Sequence, residues 1–273
     1  MRPSPEFVAD RVLRELQVSS VEDLHALDEL AWRRRALVRY DKLDGSEARL
    51  STLGERAVIT VSTTVQNQHR RRFSVAHELG HLEMHRPGSL LAVCTGRDLN
   101  EWGSQEGEQN LEQEANEFAA AFLMPQAFFE PLCDRERPSL DVIGELAERF
   151  RVSLTATGLR YVHFCPDPVA LIYSEDGRIE WFKSSASFQE LNVYVETKVR
   201  LDPRSAASRT MVSSAGWQQP RRVAPDVWFA RGKHDAEARI VEHSWSMPSY
   251  NAVLTLLWVN EDLYDGDENF LWL

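Results

Sequence analysis

Two histidines four residues apart, His77 and His81, enclose a glutamate in the segment FSVAHELGHLEMH at residues 73–85. On a helix these positions lie one turn apart on one face, so both rings can direct a nitrogen at one ion. Glu78 lies about 100° around the helix, close enough to reach a water on that ion without binding the ion itself. The cation lowers the pKa of this water, and the glutamate takes the proton as hydroxide attacks a carbonyl. The spacing predicts a metal-dependent hydrolase with Glu78 as general base.

The same five residues also fit an ordinary helix. A shuffled chain of this composition would contain H-E-x-x-H roughly 2% of the time, so a histidine pair that is exposed or satisfied in the core is the alternative. A catalytic zinc usually has three protein ligands, so a third ligand decides between the two. His85 lies one turn further on, but three successive turns of a straight helix extend over about 12 Å and cannot converge on one ion. The third ligand must come from another element.

The segment LEQEANEFAAAFLMP at 111–125 is predicted to be a second helix, with carboxylates at Glu112, Glu114 and Glu117. Glu112 shares a face with the small residues of this helix, which could press against the histidine helix. Asn116, one turn later, can then bond to a ligating histidine and fix the orientation of its ring. Glu114 is the alternative ligand, and an amphipathic helix with surface glutamates also fits these residues.

The segments around these two helices predict the rest of the first domain. Apolar residues at helical spacing predict two N-terminal helices, in SPEFVADRVLRELQV and SVEDLHALDELAWRRRALV. β-Branched residues predict a strand at 57–62, which at a sheet edge could pair with an extended substrate. Arg70, Arg71 and Arg72 are expected on the solvated face where the histidine helix begins. The polar stretch 96–110 predicts a loop.

Residues 138–165 are predicted to form two helices broken near Arg151, in the manner of a helix-turn-helix. Glu145 and Glu148 share the first of these helices, and the second begins with few side chains that could contact bases. We therefore expect a structural or repressor-docking role here and no direct DNA binding.

The pattern changes after Pro166. Strand-like segments follow, with Asp176 and Gly177 as a hairpin turn: VALIYS, RIEWFKSS, LNVYVETKVRL and AVLTLLWV. Six of the eight tryptophans lie in 166–273, where most are expected in a core, although a concave site for a small-molecule signal is an alternative. This predicts a β-rich sensor or interaction domain.

Composition excludes several classes of protein. The chain has 273 residues, 43% hydrophobic, and a formal net charge of −11, which disfavours nonspecific binding to polyanions because such affinity comes from neutralising phosphates. No apolar run reaches the roughly 18 residues of a membrane span, and the first residues lack the apolar core of a secretion signal. We therefore expect a cytoplasmic protein with no membrane association. The three cysteines, Cys94, Cys133 and Cys165, are expected to be reduced and buried.

Together, RRFSVAHELGHLEMH and LEQEANEFAAAFLMP resemble the signature of the ImmA/IrrE family of bacterial metallopeptidases. The family pattern, R-F-x-x-A-H-E-x-x-H followed by E-x-x-A-N-x-F-A-A-x-x-L-M-P, falls on residues 72–81 and 112–125, within a resemblance that covers about residues 1–135. Phe122 stands where an aliphatic residue is commoner. The resemblance selects Glu112 over Glu114 as third ligand, in agreement with the argument from the helix face.

The resemblance implies an α+β architecture in three parts. A mostly helical, zincin-like metallopeptidase domain with a small sheet occupies 1–137, a helix-turn-helix-like segment 138–165, and a β-rich, GAF-like domain 166–273. It implies a zinc-dependent endopeptidase with a gluzincin-like site, which cuts a helix-turn-helix transcriptional repressor to relieve repression, in a stress response or in mobile-element control. Zn²⁺ is expected from the ligand types, and Mn²⁺ also tolerates two histidines and a carboxylate.

Two other functions remain open from the residues. A non-catalytic regulatory or antitoxin-like protein could use the metallopeptidase frame to bind a partner, and variants such as His81→Ala would then still function in cells. A DNA-binding regulator could use 140–162, and duplex binding would then depend on salt through Arg151.

Overall fold

The computed structural model describes residues 3–85, 93–94, 108–134, 136–213, 219–231 and 240–259. They belong to two compact units. The first comprises Met1–Phe129 and Ala147–Ser153, and the second Glu130–Leu146 and Leu154–Leu273. Each unit contains helices and a sheet, so the chain is of mixed α and β structure. In the described part of the chain, no helix combines the length and the apolar character needed to cross a bilayer.

The first predicted helix is confirmed as α1 (Pro5–Glu15), and the second is only partly confirmed. Ser4 caps α1 by accepting a hydrogen bond from the backbone N–H of Phe7 at 3.3 Å. The second predicted helix is reduced to a 3₁₀ turn (Asp23–His25) and α2 (Leu27–Arg33). Its predicted end is instead strand β1 (Ala36–Asp41), because Arg35 takes a left-handed conformation (φ +62°) and the chain then pairs with a sheet.

The sheet of the first unit is built from β1, β2 (Ala48–Leu53), β3 (Arg56–Ser62) and β4 (Val93–Cys94), in the order β1-β3-β2-β4. β1 runs parallel to β3, and the other neighbouring pairs are antiparallel. The predicted strand at 57–62 is confirmed as β3. The hypothesis that it lies at an edge is wrong, since β1 and β2 pair with it on both sides and leave no free backbone groups for a substrate.

The two helices of the paired motifs are α3 (Gln68–Met84) and α4 (Glu108–Leu123), which pack against each other. Asn67 caps α3 by accepting from the backbone N–H of Arg70 at 3.2 Å. The helices approach closely at Gly80, where an added Cβ would lie 3.0 Å from the Phe118 ring. Of the predicted loop 96–110, the last three residues begin α4, and 96–107 lie outside the described residues. A short helix α5 (Gln126–Phe129) follows.

The three arginines at the start of α3 are not on a solvated face, contrary to the prediction. Each is partly buried and bound within the first unit. Arg70 pairs with Glu47 at 2.7 Å. Arg72 donates to the backbone carbonyl of Leu24 at 2.9 Å and thereby holds the 3₁₀ turn against α3. The cluster is therefore a set of attachments between α3 and its neighbours.

Residues 147–153 complete the first unit although they follow part of the second in the chain. The carbonyl oxygen of Val152 lies 2.6 Å from Nδ1 of His69 on α3. The Phe150 ring, fully buried, packs on that of Phe129 with centroids 5.2 Å apart. This short stretch is thus part of the core that supports α3.

The two helices predicted within 138–165 are confirmed as α6 (Leu140–Phe150) and α7 (Leu154–Phe164). The break falls where expected, at Arg151, whose φ of +53° ends the first helix. The α7 residue Gly158 packs against Leu171, so that an added Cβ would lie 2.9 Å from the end of that side chain.

An antiparallel sheet forms the centre of the second unit, in the order β6-β5-β11-β10-β8. Its strands are β5 (Val169–Glu175), β6 (Arg178–Ser184), β8 (Arg221–Val223), β10 (Ile240–Met247) and β11 (Ala252–Trp258). The predicted hairpin turn is confirmed, with Asp176 at φ +50° and Gly177 at φ +75°.

The prediction for residues 191–201 was mostly wrong. Of that segment, only β7 (Tyr194–Val195) is a named strand, and it pairs with β9 (Phe229–Arg231). The helices α8 (Ala186–Glu190) and α9 (Ala206–Ser213) were not predicted. Ser185 caps α8 by accepting a hydrogen bond from the backbone N–H of Phe188. This serine could have indicated the start of a helix, but it is the last residue of the strand-like segment RIEWFKSS.

Candidate metal centre

Helices α3 and α4 bring His77, His81 and Glu112 together. The Nε2 atoms of the two histidines are 3.0 Å apart, and the Glu112 carboxylate oxygens lie 3.1 Å from Nε2 of His77 and 3.3 Å from Nε2 of His81. The ligand atoms of all three side chains lie within 4.8 Å of one another. Both histidines are buried, while the Glu112 side chain is 22% exposed, so the carboxylate is the solvent-facing member of the group.

The helical spacing explains why both rings face the same point. His77 and His81 are one turn apart on α3, and their rings meet edge to face with centroids 4.7 Å apart. Glu112 reaches them because the small residue Gly80 allows α4 to approach α3. The structure thus brings together the three side chains that the sequence singled out as ligands.

Asn116 contacts the far side of the His77 ring. Its Oδ1 atom lies 2.9 Å from Nδ1 of His77, and both residues are buried. The amide oxygen accepts, so the neutral ring carries its proton on Nδ1 and presents the Nε2 lone pair to Glu112 and His81. This is the contact expected from the spacing of Glu112 and Asn116.

The chemistry of this donor set fits a divalent cation. Burial raises the pKa of Glu112, but the contacts with His77 and His81 lower it by more, so the carboxylate is ionised at neutral pH. An ionised carboxylate and two imidazole nitrogens that lie within 3.3 Å of one another can all direct a lone pair at one divalent cation. Two histidines and one carboxylate are the ligand set of many catalytic zinc sites.

Glu78 is fully buried on α3, directly after His77. It is not a member of the group of converging ligand atoms found among the described residues. Its position about 100° around the helix from His77 agrees with a group that acts beside an ion without binding it.

Glu114 and His85 form a second pair beside this group. Nε2 of His85 lies 3.1 Å from the Glu114 carboxylate, and Nδ1 of His85 lies 2.9 Å from Nδ1 of His81. Glu114 is therefore bound to a buried histidine, while its own side chain is 22% exposed. Burial lowers the pKa of His85 more than the carboxylate raises it, so this ring is neutral at neutral pH. The i, i+4 spacing of His81 and His85 was the sequence signal that these two rings contact each other. It did not indicate that Glu114 would contact His85.

Comparison with known proteins agrees with these features. Residues 33–161 match the family model for peptidase M78, the IrrE N-terminal-like domain. The chain is 31% identical over 121 residues to the radiation response metalloprotease IrrE of Deinococcus radiodurans, and 35% identical over 103 residues to that of Deinococcus deserti. These matches cover 44% and 37% of the chain, but it spans only about a third (34%) of each relative.

A solved structure shares the fold over nearly the whole chain. It is a Mycobacterium tuberculosis transcriptional regulator, with a TM-score of 0.56 and 16% sequence identity, and the match covers 98% of this chain and 92% of that one. At this identity the likeness concerns the fold alone. The paired motifs, the packing of α3 on α4 and the matches over residues 33–161 together make this part of the chain similar to the ImmA/IrrE family of metallopeptidases.

Proposed function

We propose that the protein is a metal-dependent endopeptidase in which His77, His81 and Glu112 hold the ion and Glu78 is the general base. The observation that carries this proposal is the convergence of three ligand atoms within 4.8 Å, on helices that contain both parts of the family motif. Zn²⁺ is the cation that best suits two imidazoles and a carboxylate, and Mn²⁺ is the alternative.

A cation held by His77, His81 and Glu112 would supply positive charge that polarises the scissile carbonyl and favours ionisation of water. Glu78 accepts the proton of the attacking water on its carboxylate and then delivers it to the departing amine nitrogen. Asn116 holds His77 in one tautomer. The buried position of Glu78 strengthens its interaction with charge that develops beside it.

We further propose that the substrate is a protein, a helix-turn-helix transcriptional repressor whose cleavage relieves repression in a stress response or in mobile-element control. The relatives named as radiation response metalloproteases support a protein substrate and a stress response, and the choice of a repressor as that substrate rests on the family resemblance of the paired motifs. We also propose that residues 166–273 form a GAF-like sensor domain that responds to a small-molecule signal. In this proposal the 138–165 segment docks the substrate without direct DNA binding, and the protein acts in the cytoplasm.

Incubating the purified full chain with helix-turn-helix repressors encoded near its gene tests the activity. Specific cleavage should appear with zinc and disappear with a chelator. Glu78→Gln should bind one equivalent of zinc but not cleave, since only the base is removed, while Glu117→Gln, on the outer part of α4, should cleave normally. Cleavage by Glu78→Gln would eliminate the role of that residue. If His81→Ala retained full function in cells, the non-catalytic partner-binding function would replace the proposal.

A further inference from the structure

A line of three contacting side chains, His81, His85 and Glu114, leads from the candidate metal centre to the partly exposed carboxylate of Glu114 on α4. Nδ1 of His81 lies 2.9 Å from Nδ1 of His85, and Nε2 of His85 lies 3.1 Å from the Glu114 carboxylate. The side chains of His81 and His85 are 2% and 4% exposed, so both rings are shielded from water, and Glu114 at 22% is the outer end of the line. Neither His85 nor Glu114 belongs to the group of converging ligand atoms.

The contacts fix the positions of the protons along this line. Nε2 of His81 faces Glu112 at 3.3 Å and Nε2 of His77 at 3.0 Å, within the group of converging ligand atoms. An imidazole that binds an ion through Nε2 carries its proton on Nδ1, so Nδ1 of His81 would donate to Nδ1 of His85. Nδ1 of His85 then accepts, which leaves Nε2 of His85 as the donor to the Glu114 carboxylate.

We propose that His85 and Glu114 are positioning residues that hold His81 in the Nδ1-protonated tautomer, with its Nε2 lone pair directed at the metal centre. This inference rests on the proposed metal site. Hydrogen bonds from a ligating histidine to a carboxylate or another acceptor raise the basicity of the ligand and fix its ring, and their loss typically weakens metal binding 10- to 100-fold. His77 has Asn116 as its partner, and His81 has the His85–Glu114 pair in the same place.

A purely structural role for His85 makes a different prediction. Its backbone N–H already donates to the carbonyl of His81 at 3.0 Å and ends α3, and substitution of the side chain leaves that bond in place. If the ring only filled space, its replacement would lower the stability of the metal-free protein and leave zinc affinity unchanged. If the ring instead holds the tautomer of His81, zinc affinity should depend on whether the residue at position 85 can accept a hydrogen bond.

Zinc affinity of the full chain, measured by competition with a chromophoric chelator, separates these roles. His85→Leu should bind zinc 10- to 100-fold more weakly than the wild type, because it removes the acceptor for Nδ1 of His81. His85→Asn should recover most of the affinity, since its Oδ1 atom can occupy the place of the imidazole Nδ1. Glu114→Leu should weaken binding, and the matched control Glu117→Leu, on the same helix, should not. Equal affinity in His85→Leu and the wild type would overturn the inference.

Nitrogen-15 NMR of the histidine rings gives a second readout that does not depend on activity. In the zinc-loaded wild type, His81 should show a protonated Nδ1 and a metal-bound Nε2, and coordination through Nδ1 would overturn the proposal. Thermal melting would show whether His85→Leu folds. If it does not, the proposal is tested by the zinc affinities of His85→Asn and Glu114→Leu and by this spectrum. A wild type that binds no zinc would instead reject the proposed metal site itself, whereas zinc binding without cleavage would reject only the endopeptidase activity.

Discussion

The Oδ1 atom of Asn116 lies 2.9 Å from Nδ1 of His77, and Asn116 follows Glu112 by one turn on the same helix. One face of α4 thus approaches the same histidine from two directions, with a carboxylate at Nε2 and an amide oxygen at Nδ1. This arrangement explains why a glutamate and an asparagine four residues apart accompany a histidine pair on α3.

Replacing Asn116 should weaken metal binding without removing a ligand. Asn116→Leu leaves the Nδ1 proton of His77 without its acceptor in a buried place, so we expect zinc affinity to fall 10- to 100-fold. Asn116→Asp keeps an acceptor and should retain most of the affinity. Competition titration with a chelator measures both. Equal affinities in Asn116→Leu and the wild type would show that the contact does not orient the ring.

Metal removal should lower the stability of the wild type but not that of a variant without a ligand. An ion that binds only the folded state adds about 2.7 kcal/mol when its free concentration is 100 times the dissociation constant. Adding a chelator to the zinc-loaded wild type should therefore lower its melting temperature, while Glu112→Gln should melt at the same temperature with or without zinc. A zinc-dependent shift in Glu112→Gln as large as that of the wild type would exclude this carboxylate as a ligand.

Enlarging Gly80 should disturb the metal centre through the spacing of the helices. Gly80→Val places atoms where a Cβ already meets the Phe118 ring at 3.0 Å, so we expect a loss of roughly 1–3 kcal/mol of stability and weaker zinc binding. Gly158→Val is the control, because Gly158 packs with similar closeness against Leu171 in the second unit. It should lower stability and leave zinc affinity unchanged. If both variants bind zinc as the wild type does, helix spacing does not set the site.

Glu242 should make the second unit less stable as pH rises. It is fully buried on β10, where Trp228 Nε1 donates to it at 2.6 Å, and burial raises its pKa to about 7. Because the folded state holds this proton more tightly than the unfolded state, the stabilisation is complete below about pH 4.5 and is lost as pH rises through 7. A shift from 4.5 to about 7 corresponds to roughly 3 kcal/mol at most.

Urea unfolding followed by tryptophan fluorescence, for the wild type and Glu242→Gln between pH 4.5 and 8, measures this effect. Glutamine cannot ionise, so the wild type should lose stability relative to the variant as pH rises. If the glutamine side chain itself changes stability, it shifts the curve of unfolding free energy against pH by a constant amount and does not change its slope. Two parallel curves would show that Glu242 stays ionised throughout.

The thiols of Cys133 and Cys165 should be inert in the native protein. Both are buried, as predicted, and burial raises the pKa of Cys133 to about 12 and that of Cys165 to about 11. In a Cys94→Ser background, we expect both to react with a disulfide reagent at pH 8 more than about 100-fold more slowly than in denaturant, since the thiolate is the nucleophile. Rapid labelling of two thiols without denaturant would contradict their burial.

Much of the first unit's site could be predicted because it depends on local periodicity. The i, i+4 spacing on α3 was sufficient to place His77 and His81 on one face. The small face of α4 favoured Glu112 and left Glu114 as the alternative, and the family resemblance then selected Glu112. The contact between Glu114 and His85 could not be predicted in this way. It depends on how closely and at what angle two helices cross, which is set by Gly80 against Phe118.

The strands were less predictable because their pairing is not local. Residues 36–38 continue the apolar spacing of the helix that precedes the three arginines at 33–35, yet they pair in parallel with β3, about 20 residues later in the chain. β2 was missed because its polar residues alternate with few large apolar ones. Strand β11, in contrast, has seven consecutive buried residues and was recognisable from its composition alone.

The interleaving of the two units along the chain has a practical consequence. Because Ala147–Ser153 pack with the first unit, no single truncation separates the two units intact. A fragment that ends at Phe129 would lack the Phe150 ring and the Val152 carbonyl that His69 contacts, and would expose the Phe129 ring that these residues cover. A fragment that contains the candidate metal centre would therefore need residues 147–153 restored, by a shortened connection or as a separate peptide.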